Sequence, residues 1–144
     1  MSVAFEIPTI ETEHPVMFFD TDCAAVVHNL AYLRFIEHAR TLLAEQMGMR
    51  LAEMASTGIY PVLLNTEIQY KRTAKLGDKL VVRGRLESME RVRFWCRFEV
   101  VRPADEVVMC TCRQSLALIR MPQAKPMRLP EDWMQKYAHL SGEV

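Results

Sequence analysis

The chain has no excess of charge of either sign. Its 18 Lys and Arg balance 18 Asp and Glu over 144 residues, for a formal net charge of zero. A nucleic-acid partner asks for a basic face, so none is expected. Nothing in the net charge holds copies apart, which leaves self-association open. A disulfide framework is also missing. Cys23, Cys96, Cys110 and Cys112 follow no paired spacing, and a chain of this length can fold without staples. They read as reduced thiols of a cytoplasmic protein. Cys110 and Cys112 would make half of a metal site, but no second Cys/His cluster completes it, and no metal is expected. At strand spacing the two thiols point to one face. The segment MSVAFEIPTI has no basic run ahead of an apolar core, so no secretory leader is expected. No stretch reaches the roughly 20 apolar residues of a membrane helix. Internal repeats and linkers are absent too, which points to one domain over residues 1–144.

What is present is a core in abundance: half of the residues are hydrophobic, and ten are Met. Residues 5 to 19 read as one interrupted strand, with His14-Pro15 favouring extended backbone. From Asn29 the period changes. Leu30, Leu33, Ile36, Leu43 and Met47 recur at helical spacing, widened by Tyr32, Phe35 and Ala39. Asn29 is a good N-cap type and Gly48 stands where a C-terminal cap belongs, so a helix over 29–47 is predicted, with a further turn or two over 51–56. After Pro61 the chain alternates as strands do. Val62, Leu64, Ile68 and Tyr70 oppose Asn65, Glu67, Gln69 and Lys71; Leu80, Val82 and Leu86 oppose Arg83 and Arg85; Val92, Phe94, Cys96, Phe98 and Val100 oppose Arg93, Trp95, Arg97 and Glu99. A last strand from Val107 to about Ile119 buries Val108, Cys110, Cys112, Leu116 and Leu118. The tail QAKPMRLPEDWMQKY is broken by prolines, with a short helix from Pro130 onward.

One-sided alternation over four successive strands predicts an antiparallel sheet with one face covered, and only the 29–47 helix is long enough to cover it. The expected fold class is α+β: a five-stranded antiparallel sheet wrapped around one long central helix, the hot-dog arrangement. Such a sheet leaves its edges exposed, so a homodimer or homotetramer is expected.

The segment FFDTDCAAVVHNLAYLRFIEHAR resembles the signature of hot-dog thioesterases of the 4-hydroxybenzoyl-CoA thioesterase type, including the acyl-CoA thioesterases associated with the Tol-Pal system. The matching positions are Phe19, Asp20-Thr21-Asp22, Val26-Val27, Tyr32, and Glu37 with Arg40. The likeness continues through TEIQYKRTAKLGDKL and reaches KPMRLPED, nearly the whole chain.

The resemblance implies hydrolysis of an acyl-CoA thioester to free acid and CoA, CoA being part of the substrate and no separate cofactor being required. It makes Asp22 the catalytic carboxylate, as nucleophile or as general base. It also puts the backbone N–H that polarises the thioester carbonyl at Asn29, where the first turn of a helix has donors without internal partners and a positive dipole end. Two positions depart from the family. A His occupies position 28 rather than 29: facing the site it would join the catalytic residues by orienting Asp22 or the attacking water, and facing away it would be a structural histidine. Ala24-Ala25 stands where a Gly is common, which restricts positive φ. Tyr32 is expected in the core or on the pocket wall. The resemblance puts basic residues at Arg91 and Arg93, so Tyr32, Arg91 and Arg93 are the expected substrate-binding residues, with Arg72, Arg120 and Lys125 as further cations for the CoA phosphates. Asp20 reads as a turn residue, and Glu37 with Arg40 as an i,i+3 ion pair. Met17, Val62, Leu63 and Leu64 would suit fatty, branched or aromatic acyl groups. The alternatives are a thioesterase acting on acyl carrier protein and a non-catalytic acyl-CoA binding or interaction module on the same scaffold.

Overall fold

The computed structural model describes residues 7–141. In chain order it contains β1 (Thr9–Pro15), α1 (Asn29–Gln46), α2 (Leu51–Thr57), β2 (Ile59–Tyr70), β3 (Lys79–Met89), β4 (Arg93–Arg102), β5 (Val107–Arg120), β6 (Lys125–Met127) and α3 (Glu131–Lys136), with 3-10 turns at Phe18–Asp20 and Ala138–Leu140. The strands pair antiparallel in the order β1-β3-β4-β5-β2, and α1 lies across the sheet in the hot-dog arrangement. The sixth strand comes from the Pro-broken tail. β4 ends its pairing with β5 at Arg93 opposite Ala117, and β6 takes over from Leu118 to Arg120.

Helix α1 buries Ala31, Tyr32, Phe35, Ile36, Ala39 and Leu43, a stripe at helical spacing. It packs into one cluster with Leu80, Val82 and Leu86 of β3, Phe94, Cys96, Phe98 and Val100 of β4, and Cys110, Cys112, Leu116 and Leu118 of β5. Leu30, expected in that stripe, is 61% exposed although Ala31 and Tyr32 beside it are buried, because it falls on the other face of the helix. Gly58 closes α2 at φ 73, a left-handed cap that glycine adopts without strain. At the far end of α1, the Trp133 indole donates to the Met47 carbonyl at 2.7 Å, giving a partner to one of the acceptors a helix leaves open. Trp133 also meets Phe94 edge to face at 5.3 Å.

Four strands differ from the sequence reading: Val92, expected in the buried series of β4, is 42% exposed in the turn before it, Val108 of β5 is only half-buried, and β1 and β2 change as follows. The strand expected over 5–19 is limited to Thr9–Pro15; residues 5 and 6 lie outside the described residues, and Phe18–Asp20 turns as a 3-10 helix. That turn forms because the Asp20 carboxylate accepts from the Met17 N–H at 2.9 Å. In β2 a bulge leaves Leu64 without a partner between Leu63, opposite Leu116, and Asn65, opposite Ser115. One extra residue inverts the parity of a strand. Before the bulge it is therefore Pro61 and Leu63, opposite Leu118 and Leu116, that share the core face, and not Val62 and Leu64. Strands β1 and β2 are the two edges. Among the described residues no helix is long and apolar enough to cross a membrane.

Candidate active site

Residues 20 to 28 form a small hairpin immediately ahead of α1. Thr21 pairs with Val27, the Asp22 N–H donates to the Val26 carbonyl at 2.9 Å, and the His28 N–H donates to the Asp20 carbonyl at 2.8 Å. Asp22 opens the turn. Its carbonyl accepts from the Ala25 N–H at 3.0 Å, and its Oδ1 accepts from the Ala24 N–H at 2.9 Å, the short-range bond that aspartate makes readily in turns. Ala25 completes the turn at φ 60, where hairpins of this kind usually carry glycine. The hairpin leans on the loop after β2: Val26 bridges Lys75, and the Val27 N–H donates to the Ala74 carbonyl at 2.9 Å. Asp22 is exposed, and its second oxygen has no partner among the described residues.

Asp20 is the opposite case. It is 3% exposed, its Oδ1 lies 2.6 Å from Arg34 Nη2, and its Oδ2 accepts from Met17. Arg34 in turn stands over the Phe19 ring at 5.9 Å. With both oxygens engaged, Asp20 fixes the chain that enters the hairpin.

The helix start differs by one residue from the expectation. His28, not Asn29, is the N-cap: its Nδ1 accepts from the Leu30 N–H at 3.0 Å, and its carbonyl accepts from Ala31 at 2.9 Å. A ring whose Nδ1 accepts carries its proton on Nε2, so the cap fixes the tautomer of an otherwise exposed side chain. Asn29 thereby becomes the first residue of α1. Its carbonyl accepts from the Tyr70 hydroxyl at 3.1 Å, and its N–H has no hydrogen-bond partner among the described residues. An unsatisfied first-turn N–H at the positive end of a helix can polarise a carbonyl oxygen, and an exposed carboxylate in the hairpin that leads into that helix can act on a carbonyl carbon or on a water.

The expected substrate-binding residues do not gather here. Tyr32 is 3% exposed, and its hydroxyl accepts from the Ala74 N–H at 3.0 Å, which ties the loop after β2 to α1. Burial raises the pKa of its phenol. Arg91 lies in the β3–β4 turn and Arg93 opens β4, where it is paired with Glu90 at 3.3 Å. Arg93 lies opposite Ala117 of β5, whereas the Tyr70 end of β2 beside Asn29 lies opposite Cys110. Seven residues of strand separate those positions along β5, roughly 23 Å. Within one chain the two arginines and Asp22 are therefore at opposite ends of the sheet.

Gln114 was missed. It is 2% exposed and accepts from Arg40 Nη1 at 2.7 Å, a closer contact than the 3.7 Å between Arg40 and the expected partner Glu37. Its signal was present in the sequence: Cys110, Cys112, Leu116 and Leu118 make an apolar series at strand spacing that Gln114 interrupts.

The model of the thioesterase-like superfamily matches residues 16–137. A protein of Aquifex aeolicus named as an esterase is 33% identical over 79 residues, which are 55% of this chain and 62% of that protein. The 1,4-dihydroxy-2-naphthoyl-CoA hydrolase of Synechocystis is 25% identical over 126 residues, covering 87% of this chain and 91% of its own. The crystal structure of a DHNA-CoA thioesterase from Staphylococcus aureus superposes with a TM-score of 0.81 at 24% identity, covering 91% of this chain and 89% of that one.

Proposed function

The chain belongs to the thioesterase-like superfamily and is a thioester hydrolase; on that premise we propose that its substrates are acyl-CoA thioesters and that Asp22 is its catalytic carboxylate. The observation that carries this reading is the pairing of an exposed Asp22, one oxygen anchored and one free, with the unpartnered N–H of Asn29 at the start of α1. Negative charge develops on the thioester oxygen in the transition state, and the Asn29 N–H meets it there. Asp22 either adds to the carbonyl carbon, giving a mixed anhydride that water then opens, or takes a proton from a water that adds directly. In both routes the C–S bond breaks, the acid keeps the acyl carbon, and CoA leaves as the thiol. His28 supports the site as the cap that sets the helix start, with its Nε2 side open to solvent. The reading draws on no metal ion or cofactor beyond the CoA of the substrate.

The second copy of the chain belongs to the same proposal. β2 is an edge strand with Leu63 43% and Leu64 53% exposed, a surface that pairing with another copy would cover. An assembly of two or four chains would also give Arg91 and Arg93 a means of reaching the CoA phosphates at a neighbour's Asp22. Three thiols buried in the core suit a reducing compartment such as the cytoplasm.

The experiment is CoA release from short, medium, long and aromatic acyl-CoAs, hydroxylated aryl-CoAs included. Products are read by chromatography, because Cys23 is exposed and would consume a thiol reagent. Turnover of one class identifies the substrate; binding of acyl-CoA without turnover of any class would replace this reading with that of a binding module.

A further inference from the structure

Between the C-terminal half of α1, α2 and the N-terminal half of β2 lies a cavity of about 200 Å3, with Leu43, Met47, Met54, Leu63, Leu116 and Trp133 among its walls. An apolar cavity of roughly 150 Å3 is enough to take benzene, so this one has room for a substituted aromatic ring or a short aliphatic chain.

Its wall also holds a charge. Arg40 lines the cavity, and its side chain is only 17% exposed. Nη1 donates to Oε1 of the buried Gln114 at 2.7 Å. Gln114 is itself oriented, because its Nε2 donates to Thr66 Oγ1 at 3.2 Å and so turns the amide oxygen to the guanidinium. The only carboxylate paired with Arg40 among the described residues is Glu37, 3.7 Å from Nη2 and 65% exposed. These partners take up fewer N–H groups than a guanidinium offers. Thr41, Tyr60 and the exposed Glu37 are the other polar residues of a lining that is otherwise apolar, and donors left over there favour a ligand that brings an acceptor.

We propose that this cavity receives the distal end of the substrate's acyl group, and that Arg40, held by Gln114, selects acyl groups carrying a hydrogen-bond-accepting oxygen at that end. The proposal rests on the acyl-thioester reading above and names the substrate class within it: a carboxylated or hydroxylated acyl group, not a bare aliphatic one. A bare group would dehydrate the cavity while leaving the Arg40 donors unpaired, and that difference is the source of discrimination. Arg40 stands eleven residues along α1 from Asn29, roughly 16 Å. Leu63, on the cavity wall, belongs to the β2 edge. A second copy paired antiparallel along that edge would bring its Tyr70 end, with the Asp22 hairpin beside it, toward this cavity.

The test uses substrates that differ only in the oxygen: phenylacetyl-CoA against 4-hydroxyphenylacetyl-CoA, and hexanoyl-CoA against hexanedioyl-CoA. The wild type should favour the oxygen-bearing member of at least one pair by ~10-fold or more in kcat/KM, and Arg40→Met should bring that ratio to about 1. Arg40→Met leaves the Gln114 oxygen without its donor, so the double variant Arg40→Met/Gln114→Leu, which removes both partners, serves if the single variant fails to fold. Calorimetric titration of the four methyl esters (the monomethyl ester for hexanedioic acid), whose capped carbonyl end carries no charge, into Asp22→Asn, with and without the Arg40 change, reads the cavity without turnover. A chain that hydrolyses none of these thioesters would thus still report on the cavity, which separates failure of the proposal from failure of the thioester reading. Tighter binding of the ester with the distal oxygen than of its bare partner, lost with Arg40, supports the proposal. Equal preference in wild type and Arg40 variants, or no preference in either, overturns it.

Discussion

Asp20 and Asp22 stand two positions apart and lie in opposite environments: Asp20 is buried with Arg34 at 2.6 Å, while Asp22 is exposed and anchored through one oxygen to the Ala24 N–H. The two carboxylates between apolar segments thus divide the work. One fastens the entry of the hairpin, and the other is displayed by it. Substitution separates them. Asp20→Ala removes the acceptor of both Arg34 and the Met17 N–H, and should lower stability by ~2 kcal/mol in urea unfolding, with activity falling as the hairpin loses its anchor. An Asp20→Ala chain as stable as wild type would contradict this division.

Ala25 is the left-handed residue of the same hairpin, at φ 60. A β-carbon in that region costs on the order of 1 kcal/mol, and glycine escapes it at some cost in unfolded-chain entropy. Ala25→Gly should therefore stabilise the chain by roughly 0.5–1 kcal/mol, whereas Ala24→Gly should not. Urea midpoints of the two variants decide it: an Ala25→Gly change that lowers the midpoint would show the turn to be unstrained.

His14 makes stability depend on pH. It is 8% exposed, its Nε2 lies 2.7 Å from Thr12 Oγ1, and its ring stacks on Phe35 at 4.9 Å with His38 edge-on at 5.0 Å. Burial lowers its pKa below 6.5, repulsion from His38 lowers it further, and Asp20 opposes both more weakly. Below 6.5 the unfolded chain therefore binds the proton more readily than the folded one. Stability should rise with pH up to about 6.5 and then gain no more from this group. His14→Gln should flatten that rise in unfolding curves taken between about pH 5 and 8; an unchanged slope would assign it to other groups.

The thiols differ in the same physical way. Burial pushes Cys96 and Cys110 up to about 12 and Cys112 up to about 11, while Cys23 is exposed beside Asp22. Only thiolates react with Ellman's reagent at useful rates. One thiol of the four should therefore react in the folded chain, and none in Cys23→Ser. Labelling of a second thiol without denaturant would mean that the sheet opens.

Much of the fold was legible, because periodicity reports a covered face. The buried alternation of Phe94, Cys96, Phe98 and Val100 stands as read, and so do Tyr32, Phe35, Ile36, Ala39 and Leu43 of the helical stripe, while Leu33 is only half-buried. What periodicity could not show was where parity breaks. The bulge at Leu64 moves the core face of β2 to Pro61 and Leu63, and β6 exists only because β4 runs out opposite Ala117. The break in the apolar run at Asp20-Thr21-Asp22 was legible as a turn, but the cap of the helix after it was not. Asn29 is the better N-cap by residue type, yet the Asp20–His28 hydrogen bond ends the hairpin one residue earlier and leaves the cap to a histidine ring. The distance from Arg91 and Arg93 to Asp22 follows from strand order, which no local pattern contains.

The most direct test of the central claim is kcat/KM of Asp22→Asn against wild type on the acyl-CoA that wild type hydrolyses best, with thermal melts of both. The account predicts a fall of ~100-fold or more with an unchanged melt, since asparagine keeps the acceptor for the Ala24 N–H and loses only the charge. An asparagine variant as active as wild type would contradict it and leave Asp22 as the opening residue of a surface turn.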